Sequence, residues 1–365
     1  MRFIGYYPGV DFGDPSQFGR VIHTQNFIQN YHSAIDPNSL FIVGRENDFD
    51  HESVQELGFG DSIISKLIRD LIGISLLLKI VLTSDDRIVV YSRDSPYLSK
   101  LLIGLHPRVC LVLEVNGLAN TEGGQSTMSA KLYQWIREKS RNRSALLICV
   151  SEGIKEELQT RDNKKHIAVV ENGVDTELFS PDSEQKANDG EQAVCYVGSL
   201  QPWQGVEEML EVLSLVDREL RFYVVGGTIS RQKELQENAK SLGIEGQVEF
   251  VGRVSHSMVP SYINKADVCF GPFNASRQAS PMKIYEYLAC GKSVILVNDS
   301  GLEYVEDYPG VHRFSSDMSD QELAAHLNEL LSGNSSNIEG REYIEKNRSW
   351  SSVVSRIREL IDQSC

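Results

Sequence analysis

Short apolar runs alternate with stretches of helical periodicity along the whole chain. In the first half the runs fall at 3–7, 40–43, 88–91, 109–115, 146–150 and 167–170. In the second they fall at 194–198, 222–225, 248–251, 268–270 and 293–297. They are continuous rather than alternating in polarity, which suits strands buried on both faces of a parallel sheet. The segments between them repeat apolar residues at helical spacing. Residues 206–216 are an example, with Glu207 and Glu208 in a first turn where the helix dipole favours negative charge. This alternation predicts βαβ units and an α/β protein.

The pattern breaks once. Asn172-Gly173 follows a strand run, residues 181–192 are polar with no apolar period, and a fresh strand starts at Ala193. The expected organisation is a Rossmann-like domain over 1–172, a linker over 173–192, a second Rossmann-like domain over 193–337 and a helical C-terminal segment over 338–365. Two such domains are expected to face each other across a cleft, and open α/β sheets bind ligands at the carboxyl ends of their strands.

A length of 365 residues accommodates two domains, and 41% hydrophobic with 24% charged residues is ordinary for a folded chain. Thirty-six Lys and Arg against 51 Asp and Glu give a net charge of −15. That excludes a broad basic coat for nucleic acid, so no nucleic-acid partner is expected. The six cysteines form no CxxC pair and no zinc-ligand spacing with histidine. They read as small buried hydrophobes in a reducing cytosol, without disulfides or metal. The first residues, MRFIGYYPG, read as a strand and turn rather than a secretory signal. The most apolar stretch, Leu71-Ile-Gly-Ile-Ser-Leu-Leu-Leu78, is flanked by Lys66, Arg69, Asp70 and Lys79. It is too short to span a bilayer and reads as a buried helix, a membrane-surface helix being the alternative.

The most informative segment is Ser280-Pro-Met-Lys-Ile-Tyr-Glu-Tyr-Leu-Ala-Cys-Gly291. Ser280 suits an N-cap and Pro281 the first helical position. Met282 and Lys283 then fall in the first turn. A cation there opposes the helix dipole unless an anion binds beside it, and free amides plus one ammonium make a diphosphate site. Glu286, one turn on, can accept two hydrogen bonds from a ribose diol. A surface Lys–Glu pair at three-residue spacing fits the same residues, and chemistry alone leaves both readings open. Tyr196-Val-Gly-Ser-Leu-Gln-Pro-Trp-Gln-Gly205 is a strand, a glycine-containing loop and a helix start, where Gly198 would let a ligand approach the backbone. Gly252 and Arg253 end another strand.

Taken in their order along the chain, these pieces, together with Phe222-Tyr-Val-Val-Gly-Gly227, Tyr262-Ile-Asn-Lys-Ala-Asp267, Glu171-Asn-Gly-Val-Asp-Thr-Glu-Leu-Phe179 and Ser349-Trp350, resemble the family-4 retaining glycosyltransferases of GT-B fold, over about 148–361. The resemblance implies an acceptor-side first domain, a second domain binding a nucleotide-sugar donor, and a final helix crossing back onto the first. It implies donor-binding roles for Gly198, Ser199, Gln204, Gly252, Arg253, Ser280, Met282, Lys283 and Glu286, and catalytic roles for Lys283, Gln278 and Glu286. Three positions depart from the family. Gln278 stands where the first Glu of its Glu-x7-Glu motif would be, and Ser199 and Gln204 stand where it carries diphosphate-binding Arg and Lys. A leaving diphosphate develops charge that must be stabilised, and Lys283, then Arg277 and Arg253, are the candidate replacements. No DxD motif is present, so no metal is expected, and the donor is substrate rather than cofactor.

The first half offers Gly19 and Arg20 in the loop after strand one, and Arg93, Glu114 and Asn116 at strand ends, as acceptor-side residues, Asn116 lying where the family's histidine is sought. Arg137, Lys139, Arg141 and Arg143 surround Trp135 and read as a solvated face, a membrane-surface role being the alternative. The resemblance implies transfer of a sugar from a UDP- or GDP-sugar to a sugar or lipid-linked acceptor, in glycan, polysaccharide or glycolipid synthesis. The expected location is the cytoplasm, with room for peripheral contact at the inner membrane face. The neutral substitutions leave open an inactive sugar-nucleotide binder of the same fold, and a UDP-sugar isomerase is the other alternative. An NAD(P) enzyme lacks support, since no GxGxxG follows the first strand.

Overall fold

The computed structural model describes the chain apart from residues 15–17, 46–48, 59–62, 119–127, 162–165, 183–190, 274–281, 298–304, 306, 316 and 334–335. The chain divides into two compact units, Met1–Asn172 with Trp350–Cys365, and Gly173–Ser349.

The first unit runs β1 (Arg2–Asp11), α1 (Phe18–Ala34), β2 (Leu40–Arg45), β3 (Val54–Glu56), α2 (Ile63–Thr83), β4 (Ile88–Arg93), α3 (Leu98–Ile103), β5 (Val109–Val115), α4 (Met128–Arg143), β6 (Leu146–Cys149), α5 (Glu152–Arg161) and β7 (Ile167–Val169). The second runs β8 (Gln192–Gly198), α6 (Val206–Ser214), β9 (Leu220–Gly226), α7 (Ile229–Ser241), β10 (Val248–Gly252), α8 (Val259–Lys265), β11 (Val268–Phe270), α9 (Met282–Ala289), β12 (Ser293–Val297), β13 (Val311–Phe314), α10 (Asp320–Ser332) and α11 (Ile338–Arg348). The last helix, α12 (Trp350–Ser364), belongs to the first unit.

Each unit holds one parallel sheet, ordered β3-β2-β1-β4-β5-β6-β7 in the first and β10-β9-β8-β11-β12-β13 in the second. Both orders reverse direction once, between β1 and β4 and between β8 and β11. That is the Rossmann arrangement, and the reversal leaves a crevice at the strands' carboxyl ends where a ligand can sit. The sheets are buried on both faces. In the first unit Phe27 of α1 and Val354 of α12 cover one face, while Leu77 of α2 and Ile154 of α5 cover the other. Burying each such side chain contributes roughly 1.5–3 kcal/mol.

Four features differ from the sequence reading. Strands β3 and β13 were not expected, because Val54-Gln-Glu and Val311-His-Arg-Phe lack continuous apolar character; both lie at sheet edges, where one face needs less cover. The single C-terminal helix is two. Ser349 is extended (φ −60°, ψ 147°) and bridges Val174, whose amide donates to the Arg348 carbonyl at 2.8 Å, so the helical ladder stops between α11 and α12. Cys110 and Cys365 form a disulfide, with Cα atoms 5.7 Å apart. They lie 255 residues apart, so no spacing motif announces the pair; the packing of α12 brings them together. Cys149, Cys195, Cys269 and Cys290 are free and buried.

The fourth difference is α2. The apolar run was expected to be buried, yet the helix hides only one stripe, including Gly73, Leu77 and Val81. Its opposite stripe keeps Ile64 70%, Leu71 66% and Leu82 71% exposed. Among the described residues no helix is long and apolar enough to cross a membrane.

Gly226 closes β9 with φ +111°, and a Cβ there would meet the Gly198 carbonyl oxygen at 2.0 Å. Gly226→Ala should therefore destabilise the second unit by about 2 kcal/mol or more, read as a lower urea midpoint; an unchanged midpoint would contradict this close approach.

Candidate functional site

The second unit's site forms at its strand-order reversal. Gly198 ends β8, and α9 begins across from it. Lys283 is the second residue of α9 and extends to β8: its Nζ donates to the Tyr196 hydroxyl at 2.8 Å and lies 4.5 Å from the centre of that ring. A Cβ on Gly198 would sit 2.8 Å from the same ammonium, so only glycine leaves this cradle open. Among the described residues Tyr196 is the one hydrogen-bond partner of a group with three donors. Burial lowers the Lys283 pKa from 10.5 to about 8, with Glu286 pulling it back up. The ammonium is thus kept short of counter-charge, a setting that favours an incoming anion.

Glu286 is 8% exposed and is held by His256, whose Nε2 lies 3.1 Å from the carboxylate. His256 opens a short 3-10 turn just beyond Gly252 and Arg253, so this pair ties the end of β10 to α9. The loop after β8 is shaped by backbone constraint. Leu200 is buried with a left-handed φ of 59°, and Arg231 Nε donates to its carbonyl at 2.8 Å. A left-handed φ at a bulky residue is an outlier that a loop retains only under outside constraint. Ser199 Oγ donates to Gln204 Oε1 at 3.3 Å, and Gly205 (φ +74°) turns the chain into α6.

The first unit's reversal holds a pocket of about 580 Å³ where β1, β4 and β5 end. Its charged lining includes Arg20, Lys66, Arg93 and Arg137 against Asp70 and Asp94. Both carboxylates are engaged. Asp70 accepts the Leu98 and Ser99 amides at 2.8 and 2.9 Å, and Asp94 accepts Arg141 Nε at 3.1 Å with Arg137 Nε 3.6 Å away. Burial lowers the Arg20 pKa and the neighbouring Arg93 lowers it further, so two cations share this wall. Lys100 lies buried close by, donating to the Arg93 carbonyl at 2.6 Å and to Ser95 Oγ at 2.9 Å; burial takes its pKa down to about 7.

The structure gathers Gly198, Ser199, Gln204 and Lys283 around the β8 end, with Glu286 one turn further along α9 against His256. It places Met282 at the start of α9, Gly252 at the end of β10, and Arg253 exposed beside it. Gln278, Ser280 and Arg277 lie outside the described residues. Arg20, Arg93 and Asn116 line the first unit's pocket, while Gly19 is exposed with open space around it. Glu114, expected to face a ligand, is 2% exposed instead. It accepts Tyr91 Oη and Asn116 Nδ2, each at 2.5 Å, and has His23 Nε2 at 3.3 Å and Arg93 Nε at 3.7 Å. Burial raises its pKa, but His23, Arg93 and the two hydrogen bonds outweigh this and hold it low. The sequence reading missed Tyr196, His256, His23 and Leu200 as site groups. Tyr196 was visible inside a strand run; nothing local marks the others.

Two family models match the chain. Residues 41–178 match Glycosyltransferase Family 4 and residues 180–350 match Glycosyl transferases group 1. The chain is 26% identical over 219 residues to D-inositol 3-phosphate glycosyltransferase from Corynebacterium urealyticum, covering 54% of this chain and 51% of that protein. The chain spans about half the length of such curated relatives. A glycosyltransferase from Rickettsia africae has a solved structure with TM-score 0.74 and 17% identity, covering 99% of this chain and 98% of that one. Anabaena HepE, solved in complex with UDP and glucose, gives TM-score 0.72 and 16% identity over the whole of both chains. The chain belongs to the family-4 glycosyltransferases, with the two Rossmann-like domains of the GT-B fold.

His23 supplies a pH prediction. Burial lowers its pKa from 6.5 to about 4, Glu114 pulling against that. The unfolded chain then binds more protons between pH 4 and 6.5. Stability of the first unit is complete above 6.5 and falls towards pH 4, on the order of 3 kcal/mol. Urea midpoints at pH 4.5 and 7 should differ accordingly, and by less in His23→Gln; equal wild-type midpoints would contradict this.

Proposed function

We propose that the protein transfers a sugar from a UDP-sugar to an acceptor hydroxyl with retention of anomeric configuration, in the assembly of a glycan, polysaccharide or glycolipid. The observation that carries this is the under-compensated Lys283 ammonium, beside Gly198 and one helical turn from the His256-held Glu286. In this reading Lys283 and the first amides of α9 take the diphosphate, and Glu286 accepts the ribose hydroxyls. Family membership and a neighbour whose solved complex holds UDP and glucose support it. As UDP leaves, charge grows on the diphosphate oxygens and Lys283 stabilises it. Retention needs no protein nucleophile, because the departing phosphate can take the acceptor proton on the face it leaves. Gln278 would contribute neutral hydrogen bonds to the sugar. The first unit's pocket is the candidate acceptor site, with Arg20, Arg93 and Asn116 on its wall. No metal is invoked.

A second reading has its own support. Ser199 and Gln204 bond each other and bring no charge to the diphosphate, which favours binding without turnover.

UDP-glucose and GDP-mannose should be compared by thermal shift on the wild type, Lys283→Ala and Glu286→Ala. A UDP-sugar should raise the wild-type midpoint, and each substitution should weaken binding about tenfold or more, one charged hydrogen bond being worth about 1.5–3 kcal/mol. Equal shifts in all three proteins would remove this site. Binding with no UDP released in the presence of candidate acceptors would favour the second reading.

A further inference from the structure

Leu200 is the one residue other than glycine with a positive φ among the described residues, at 59°. It follows Gly198 and Ser199, so it lies where β8 runs out beside the Lys283 ammonium. An L side chain in this conformation crowds its Cβ against the following carbonyl oxygen, a penalty that glycine escapes. The Leu200 side chain is fully buried and lodges on Gly227, where a Cβ would come within 2.4 Å of Leu200 Cδ1. Packing thus fixes the side chain, while the crowded peptide after it still needs a partner.

Arg231, in the first turn of α7, is that partner. Its Nε donates to the Leu200 carbonyl at 2.8 Å, and its two outer nitrogens donate to Glu207 and, at 3.0 Å, to Glu234. Glu207 lies in the first turn of α6 and Glu234 one turn along α7, so one planar guanidinium joins the loop after β8 to the starts of two helices. The start of α7 is anchored in turn. Thr228 Oγ1 accepts the Arg231 amide at 3.3 Å, Gln232 Nε2 donates to the Gly226 carbonyl at 2.7 Å, and the Gly227 amide donates to the Gly198 carbonyl at 3.1 Å. The far end of the loop is held separately. A Cβ on Gly205 would fall 2.5 Å from the Phe273 Cβ, and the Phe273 amide donates to the Gln204 carbonyl at 3.2 Å. Between these two fixed ends lie Ser199 and Gln204, which bring no charge of their own. Neutral groups act on a ligand through placement, so the path of this loop carries more of the task.

We propose that Arg231 is a positioning residue for the nucleotide-sugar site: through the Leu200 carbonyl it holds the peptide in its left-handed conformation and so fixes the path of residues 198–204 beside Lys283. It acts through Leu200 rather than on the ligand. The identity of the ligand rests on the transferase reading above; the clamp on the loop does not. With the guanidinium removed, Leu200 returns to negative φ, and Ser199 and Gln204 shift relative to Lys283.

Two readouts on the full-length protein test this, amide hydrogen exchange without ligand and calorimetric titration with UDP. In Arg231→Gln the amides of residues 199–204 should exchange faster, those of β8 and α9 should not, and UDP should bind roughly tenfold more weakly, the left-handed penalty of one residue. Unchanged exchange would overturn the clamp. Weaker UDP binding with unchanged exchange would do so as well, since Arg231 would then meet the ligand itself. A second pair of substitutions reads the backbone. In the Arg231→Gln background, Leu200→Ala and Leu200→Gly both remove the buried side chain, but only glycine takes the left-handed conformation freely. The glycine variant should bind UDP roughly tenfold more tightly than the alanine variant, and the gap should close when Arg231 is restored. Equal affinities in the Arg231→Gln background would sink the proposal. A wild type that binds no UDP would remove the transferase reading instead, and the exchange comparison would still decide the clamp.

Discussion

A half-buried ammonium against a tyrosine ring with one hydrogen-bond partner gains from a negative group beside it. Among the described residues Lys283 is in that position. Gly198 leaves the space open, Leu200 holds the loop after β8 in a left-handed turn, and His256 pairs with the Glu286 carboxylate. Each of these details costs stability or reduces freedom. Together they leave a positive site at the carboxyl edge of a parallel sheet, where the reversal of strand order opens a crevice.

The same topology gives the first unit a contrasting site. Its basic groups are numerous, and its carboxylates are already committed to a helix end and to arginine. Beneath them, Glu114 is locked among Tyr91, Asn116, His23 and Arg93, so it orders the pocket floor rather than meeting a ligand. Polarity at a strand's end therefore splits into two roles. Asn116 reaches the pocket while also bonding Glu114, and Glu114 supports it from below.

Much of this was legible in the sequence because parallel strands are written as continuous apolar runs. All eleven expected runs overlap strands, whereas β3 and β13 lie at edges and carry little apolar signal. Lys283 and Glu286 could be read because a proline and a glycine bracket their helix. His256 could not, since its partner is 30 residues away and only the packing of β10 beside α9 joins them. The Cys110–Cys365 pair was hidden for the same reason, at a separation of 255. The run at 71–78 was seen but misjudged: its periodicity records two apolar stripes, and sequence alone does not say that only one is covered.

The most direct test of the central claim is the proton count on nucleotide binding. Burial lowers the Lys283 pKa to about 8, so part of the population is deprotonated in mildly alkaline buffer; a diphosphate beside it favours the charged form. Calorimetric titration with UDP between pH 8 and 9, in buffers of different ionisation enthalpy, should show fractional proton uptake, absent in Lys283→Ala. Heats that do not depend on the buffer would show that no diphosphate reaches this ammonium.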